Sequence, residues 1–476
     1  MKSVIMIAYH FPPEGNAGSY RPLRFVRHLT AQDWQPTVIT LKTDFYERYD
    51  PSLLSLVPND VEVIRVANRD PWQAFQARRG RWVQAKLLNS SAEIGARIQS
   101  MHQSPVRSSI RKLVHSTEAC LYHPDTAMAW IQQAVRAAVQ LCDRIRPDVI
   151  WATGSPWSSF VVARRVSDRT RIPYVLDFRD SWTMIGTEFE ARRPAWAKSL
   201  DRRILKRLFR TAQGIVLRSA TEAECFWRAY YGALEATKIH LIPNGYEGRV
   251  DEFISPDGDR CTILYTGTLS DYRYDTLLQA LSSMKKLSPD LASRLHFQFV
   301  GEGAEAVRKA AADVHLSDMI SASGPVSQSE ILRLSQKAHA FLLLERPATI
   351  KGHELLAGAK LFGYLKAGRP IFGVLPCCEA RKVLERLGVS TVADVDSVTD
   401  IVGVLHRLVH AWSNGHLLDA VPNRVACDTY SAERQTADLA RVLEGSLPRR
   451  AFVPGSVEIP HSLQNEIGKE GWLSWA

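Results

Sequence analysis

What this sequence lacks removes several classes of protein at once. No window holds the about 18 consecutive apolar residues that a membrane-spanning helix needs, so any bilayer contact is expected to be peripheral. The seven cysteines, Cys120, Cys142, Cys225, Cys261, Cys377, Cys378 and Cys427, are odd in number and scattered, and none forms a Cys-x-x-Cys pair. That excludes a disulfide framework and a structural zinc, and it points to a reducing, cytoplasmic setting. The run Met1–Ala8 has one charged side chain and is too short for a signal-peptide core, so it reads as the first strand of the fold. The glycines that follow, Gly15 and Gly18, are spaced G-x-x-G and lack the G-x-G-x-x-G fingerprint of a dinucleotide site. No helix-turn-helix, finger or RNP pattern accompanies the basic charge, which argues against nucleic acid as a partner.

What remains is an ordinary soluble composition, 45% apolar and 23% charged, in 476 residues, a length that suggests two or three domains. The formal charge of +10 comes from 60 Lys+Arg against 50 Asp+Glu and favours anionic partners. Val4–Ala8 is a continuous apolar run, the pattern of a strand buried on both faces. A Gly-containing loop and an apolar-periodic helix through Leu23, Val26 and Leu29 follow it. Strand candidates recur at 38–41, 61–66, 147–152, 172–177 and 214–217, then at 262–266, 297–300, 341–344 and 371–375, with helical patterns between them. This alternation predicts α/β architecture with two parallel, doubly wound, Rossmann-like domains. Pro243-Asn-Gly245 is turn chemistry, and the boundary is placed near residue 247.

Charges at the carboxyl ends of such strands sit where open sheets bind ligands. Asp177, Arg179 and Asp180 end one strand in this way, and the alternative for them is an Asp–Arg pair that fastens a loop. The stretch Lys351–Gly373 reads as loop, short helix and strand, with Leu361, Tyr364 and Leu365 as a buried stripe and Gly368 as terminator. A Gly-containing loop feeding a helix N-terminus, with Lys360 as an added charge, suits a phosphate. Two segments are rich in basic residues. Residues 72–118 interleave Arg78, Arg79, Arg81, Lys86, Arg97, Arg107, Arg111 and Lys112 with Trp72, Phe75 and Trp82, and residues 192–210 form a basic helix. Contact with an anionic membrane is one reading of them, and a solvated face or a lid over a cleft is another.

The ordered series Tyr9-His-Phe-Pro-Pro, Pro147-Asp-Val-Ile-Trp-Ala-Thr-Gly-Ser-Pro-Trp, Asp177-Phe-Arg-Asp180, Pro243-Asn-Gly245, Tyr265-Thr-Gly-Thr-Leu, Phe299-Val-Gly-Glu-Gly303 and Lys360-Leu-Phe-Gly-Tyr-Leu-Lys-Ala-Gly-Arg-Pro370 resembles group 1 (family 4) glycosyltransferases of the GT-B fold over roughly residues 1–445. The resemblance implies an acceptor domain over 1–247, a nucleotide-sugar domain over 260–425, a helix over 426–446 packing back on the first domain, and a loosely ordered tail over 447–476. It implies a retaining transfer of a sugar from a nucleotide-diphosphate donor to a glycan or lipid-linked acceptor of surface polysaccharide synthesis, without metal or other cofactor. Donor contacts carry over to Gly267, Thr268, Arg273, Glu302, Lys360 and Leu361. Thr268 stands where the family has an arginine, Arg273 where it has a lysine, and Gly363 where it has the ribose-binding glutamate. Glu354 lies one residue from the place of the family's sugar-binding glutamate, with Glu345 and His353 nearby. Arg179, Asp180 and Glu354 form the implied catalytic set, and Gly15, Asn16 and Gly18 the acceptor-side loop. Two further readings of a GT-B chain are a catalytically degenerate binder or partner of an active transferase, and a sugar-nucleotide epimerase needing no acceptor.

Overall fold

The computed structural model describes residues 1–46, 48–70, 78, 122–184, 193–269, 272–346, 349 and 351–447. Apart from Arg78, the basic residues expected between 72 and 118 lie outside the described residues, as does the tail from 448.

Strand β1 (Lys2–Ala8) is apolar without alternation because it lies inside a sheet covered on both sides, with Val4 to Ala8 fully buried. Around it run β2 (Trp34–Leu41), β3 (Glu62–Val66), β4 (Val149–Gly154), β5 (Tyr174–Phe178), β6 (Gly214–Leu217) and β7 (Ile239–Leu241). All are parallel, in the order β3-β2-β1-β4-β5-β6-β7. A second parallel sheet holds β8 (Cys261–Thr266), β9 (Leu295–Val300), β10 (Ile320–Ser323), β11 (Ala340–Leu344), β12 (Ile371–Leu375) and β13 (Val392–Asp394), in the order β10-β9-β8-β11-β12-β13. Each sheet reverses its winding next to its first strand, between β1 and β4 and between β8 and β11. The crevice outside the carboxyl ends of those strands is the ligand position of a doubly wound sheet.

The chain passes between the sheets twice, side by side. Tyr246 N–H donates to the Tyr430 carbonyl at 2.9 Å, Ala432 N–H to the Tyr246 carbonyl at 2.8 Å, and the Tyr246 hydroxyl to the Cys427 carbonyl at 2.7 Å. Gly245 is obligatory there, since a Cβ would stand 2.1 Å from the Tyr430 oxygen. The helix Ala432–Gly445, capped by Ser431, then returns to the first sheet. Its Leu439, Val442 and Leu443 share one apolar cluster with Phe25, Val26 and Leu29 of the helix Tyr20–Leu29.

Candidate active site at the cleft between the sheets

On the second sheet, the loops after β8 and β9 are packed too closely for side chains. Gly267 has φ 117° and Gly301 φ 140°. A Cβ on Gly301 would stand 2.2 Å from the Gly267 carbonyl oxygen, and one on Gly267 2.5 Å from Cε of Lys360. Leu269 N–H donates to the Glu302 carbonyl at 2.8 Å and ties the two loops, while the Glu302 side chain faces solvent. Lys360 stands in the first turn of the helix Ala359–Lys366, whose Leu361, Phe362, Tyr364 and Leu365 are buried. Gly368, at φ 59°, closes that helix with its N–H on the Leu365 carbonyl at 3.1 Å. At the other end Gly358 N–H donates to Oε1 of Glu345 at 2.9 Å. The Lys360 ammonium donates to the Tyr265 hydroxyl and, at 3.4 Å, to the Thr268 carbonyl. It also lies 4.3 Å and 4.6 Å from the ring centres of Tyr265 and Tyr272. Burial lowers its pKa to about 8, against the pull of the Glu345 carboxylate. Burial raises the Glu345 carboxyl in turn, opposed by the Gly358 N–H and by Lys360.

Other expected donor residues fall differently. The Leu361 side chain is fully buried in the core, so this residue can meet a ligand through backbone alone. Arg273 is half-exposed and bound to Asp396 at 2.9 Å. Gly363 faces open space, so nothing in the packing demands a glycine there. Glu354 lies in the short turn His353–Leu355, 3.3 Å from Nδ1 of His353. Burial first, and then the Glu354 charge, pushes up the Cys225 thiol on the facing helix Ala220–Ala229 of the first domain.

On the first sheet, the three charges after β5 separate. Asp177 is fully buried and paired with Arg21, with Nη2 to Oδ1 at 2.7 Å and Nε to Oδ2 at 2.9 Å, and it accepts from Thr153 Oγ1 at 2.8 Å. Arg21 also donates to the carbonyls of Ile242 and Pro243, at 2.9 and 2.8 Å, where the first crossing begins. The sequence reading missed this partner because 156 positions separate the two residues. Arg179 turns the other way: its backbone N–H donates to the Gly154 carbonyl at 2.8 Å, Nη2 donates to the Ser155 carbonyl, and Nη1 would be 2.2 Å from a Cβ on Gly18. Burial lowers the Arg179 pKa, opposed by Asp180 and Asp177. Asp180 is exposed and accepts from Ser155 Oγ at 3.1 Å. Gly18, Arg179 and Asp180 therefore share one corner of the cleft. The loop there is held by Asn16, whose side chain accepts the Gly18 N–H at 2.9 Å, and by Gly15 N–H on the Arg48 carbonyl at 3.1 Å. His10 and Glu14 belong to the same corner, Nδ1 to Oε2 at 2.8 Å, although the sequence reading gave them no role.

Between the domains lies a cavity of about 200 Å³ walled by Arg218, Asn244, Leu355, Phe362, Glu379 and Tyr430, residues from both halves. Thr221 of the first half donates to the cavity residue Glu379 at 3.1 Å and accepts from Lys382 at 2.8 Å.

A family model described as the glycosyl transferase 4-like domain matches residues 18–245. Residues 18–245 are similar to that domain. That stretch contains the Gly18, Arg21, Asp177 and Arg179 arrangement. Over nearly the whole chain the fold is similar to solved structures. Sucrose-phosphate synthase from Thermosynechococcus elongatus is 13% identical with a TM-score of 0.57, covering 93% of this chain and 98% of that one. HepE from Anabaena, in complex with UDP and glucose, is 12% identical with a TM-score of 0.56, covering 93% and 100%. The lipopolysaccharide outer core galactosyltransferase WaaB is 12% identical with a TM-score of 0.55, covering 94% and 100%. No curated protein sequence matches the chain. The two-sheet fold is the one these glycosyltransferase structures share, the GT-B fold.

Proposed function

We propose that the protein is a retaining glycosyltransferase that moves a sugar from a nucleotide-diphosphate donor to a glycan or lipid-linked acceptor in surface polysaccharide synthesis. The observation that carries this reading is the Lys360 ammonium, held at a helix N-terminus against the Gly267–Thr268 loop at the carboxyl end of β8. When the bond from sugar C1 to the phosphate breaks, negative charge collects on the departing diphosphate. A fixed ammonium and unpaired backbone N–H groups stabilise that charge, and one such contact is worth about 3 kcal/mol in the transition state. The UDP and glucose in the HepE complex support a nucleotide sugar as donor class. In this reading Lys360 holds the diphosphate, Glu354 faces the donor sugar, Arg179 and Asp180 border the acceptor, and no metal or other cofactor takes part. A cytoplasmic enzyme with a lipid-linked acceptor would work at a bilayer surface. The helix Ala195–Thr211 suits that place: Lys198, Arg202, Arg203, Lys206, Arg207 and Arg210 are exposed along it, with Trp196 56% exposed at its start.

One observation favours a second reading, a GT-B protein that binds nucleotide or glycan without turnover. Thr268 and Gly363 bring no charge, and Arg273 is engaged by Asp396, so Lys360 is the remaining cation of the carried-over donor set. Both readings are tested by thermal unfolding with UDP, GDP and their sugars, followed by product analysis. A donor at about a hundred times its dissociation constant adds roughly 2.7 kcal/mol, and Lys360→Ala is expected to lose that shift. Stabilisation by a nucleotide without product from any donor would select the second reading.

A further inference from the structure

Arg179 follows β5 directly and carries a charge that the acceptor corner leaves unmatched. The same domain shows how a buried guanidinium is neutralised elsewhere. Arg21 has Asp177 at 2.7 Å, Arg193 has Asp201 at 3.1 Å, and Arg218 has Glu222 at 2.9 Å. Arg179 has no such partner. Among the described residues its side chain makes one hydrogen bond, from Nη2 to the Ser155 carbonyl, and its Nε is buried with no acceptor. The carboxylates around it are committed elsewhere, Asp177 to Arg21, Glu14 to His10 and Asp180 to the Ser155 hydroxyl. Burial works against the Arg179 charge; Asp180, Asp177 and Glu14 favour it from beyond ion-pairing distance, and Arg21 opposes it. A guanidinium held in this way destabilises the fold. A loop fastener needs no charge, since an amide side chain also donates to a carbonyl. The place for the guanidinium is kept open by Gly18, where a Cβ would stand 2.2 Å from Nη1 and 3.0 Å from Cζ. Planar N–H donors on a fixed charge match the oxygens of a phosphate or a carboxylate.

We propose that the acceptor carries an oxyanion, a phosphate or a carboxylate, and that Arg179 binds it. This rests on the transfer reading above and names the class of its acceptor. The oxyanion takes the free Nε–H and Nη1–H donors and supplies the counter-ion that the fold omits. Lys360, on the other sheet, holds the phosphates of the donor, so the two substrates meet two separate cations. The competing assignment gives Arg179 to the diphosphate of the donor itself.

The experiment uses the full-length protein saturated with UDP or GDP, whichever stabilises wild type, so that the donor's phosphate contacts are filled. The probes are glucose 1-phosphate, glucuronate and glucose. Thermal unfolding reads binding, and Nε–H NMR of protein labelled with nitrogen-15 arginine reads the Arg179 side chain. At least one of the two anions is expected to raise the melting midpoint and to shift the Arg179 Nε–H resonance, and that anion names the acceptor's charged group. Glucose is expected to do neither. Arg179→Gln is expected to lose the response to the anion and to melt at or above the wild-type midpoint, because an unmatched charge has gone. Wild type that responds to neither anion overturns the proposal and leaves the transfer reading standing, as does an anion response that survives in Arg179→Gln. A loss of UDP or GDP affinity of about tenfold or more in Arg179→Gln overturns it in favour of the donor diphosphate. Failure of UDP, GDP and their sugars to bind wild type overturns the transfer reading and this one with it.

Discussion

Lys360 carries a charge that depends on pH within the ordinary working range, because burial brings its pKa from 10.5 down to about 8. A phosphate meets the protonated form. Donor affinity is therefore expected to be flat below pH 8 and to weaken about tenfold per unit above it, until the pKa of the occupied site is reached; calorimetric titration with UDP at pH 7 and pH 9 checks this. The linkage to folding has the opposite sign. The unfolded chain binds the extra proton between pH 8 and 10.5, so the folded protein gains stability across that window, and Lys360→Met is expected to abolish the gain in denaturant titrations. Asp177 and Arg21 are a different kind of pair, 0% and 3% exposed in their side chains and fully hydrogen-bonded. Asp177→Ala leaves a buried guanidinium without its counter-ion and is expected to cost about 3–5 kcal/mol in urea unfolding. A sequence reader sees Asp177, Arg179 and Asp180 as one cluster. Their separation comes from strand pleating, which turns Asp177 inward, and from Arg21, whose arrival no local pattern announces.

At the scale of single elements, the helix Ala359–Lys366 combines a site with a defect. Gly363 lies in its interior with open space around the missing Cβ, so Gly363→Ala is expected to stabilise the protein by about 0.5–1 kcal/mol in thermal unfolding. Gly363→Glu tests the family pattern directly, since the side chain has room; a tighter UDP affinity is the expected result. Gly267→Ala goes the other way, forcing an L side chain to φ 117° against Lys360, and donor affinity is expected to fall more than stability. This helix was legible in advance because its stripe of Leu361, Tyr364 and Leu365 and its Gly368 stop are local signals, as were the apolar runs that became β1, β8 and β11. Glu345 was named only as a neighbour, since its bond to Gly358 depends on a loop folding back over 13 positions. His10 and Glu14 sit four apart around Phe-Pro-Pro, a spacing that in a helix would have marked them as partners and in a loop marked nothing.

On the scale of the whole molecule, the helix Ala432–Gly445 belongs to the first core although it ends the second domain's stretch of chain. Truncation after Tyr430 removes Leu439, Val442 and Leu443 from that core, each worth roughly 1.5–3 kcal/mol of burial, and is expected to unfold the first sheet while the second keeps its circular dichroism and melting transition. The same crossing has a mechanical consequence. A single covalent tether would act as a ball joint, free to twist and tilt in every direction. Two tethers pinned to each other by the Tyr246, Tyr430 and Ala432 backbone act as a door fitting, stiff to torsion and soft to one swing. Relative twist of the two sheets is restrained there, so the loops around Lys360 and those around Gly18 need not search for their alignment.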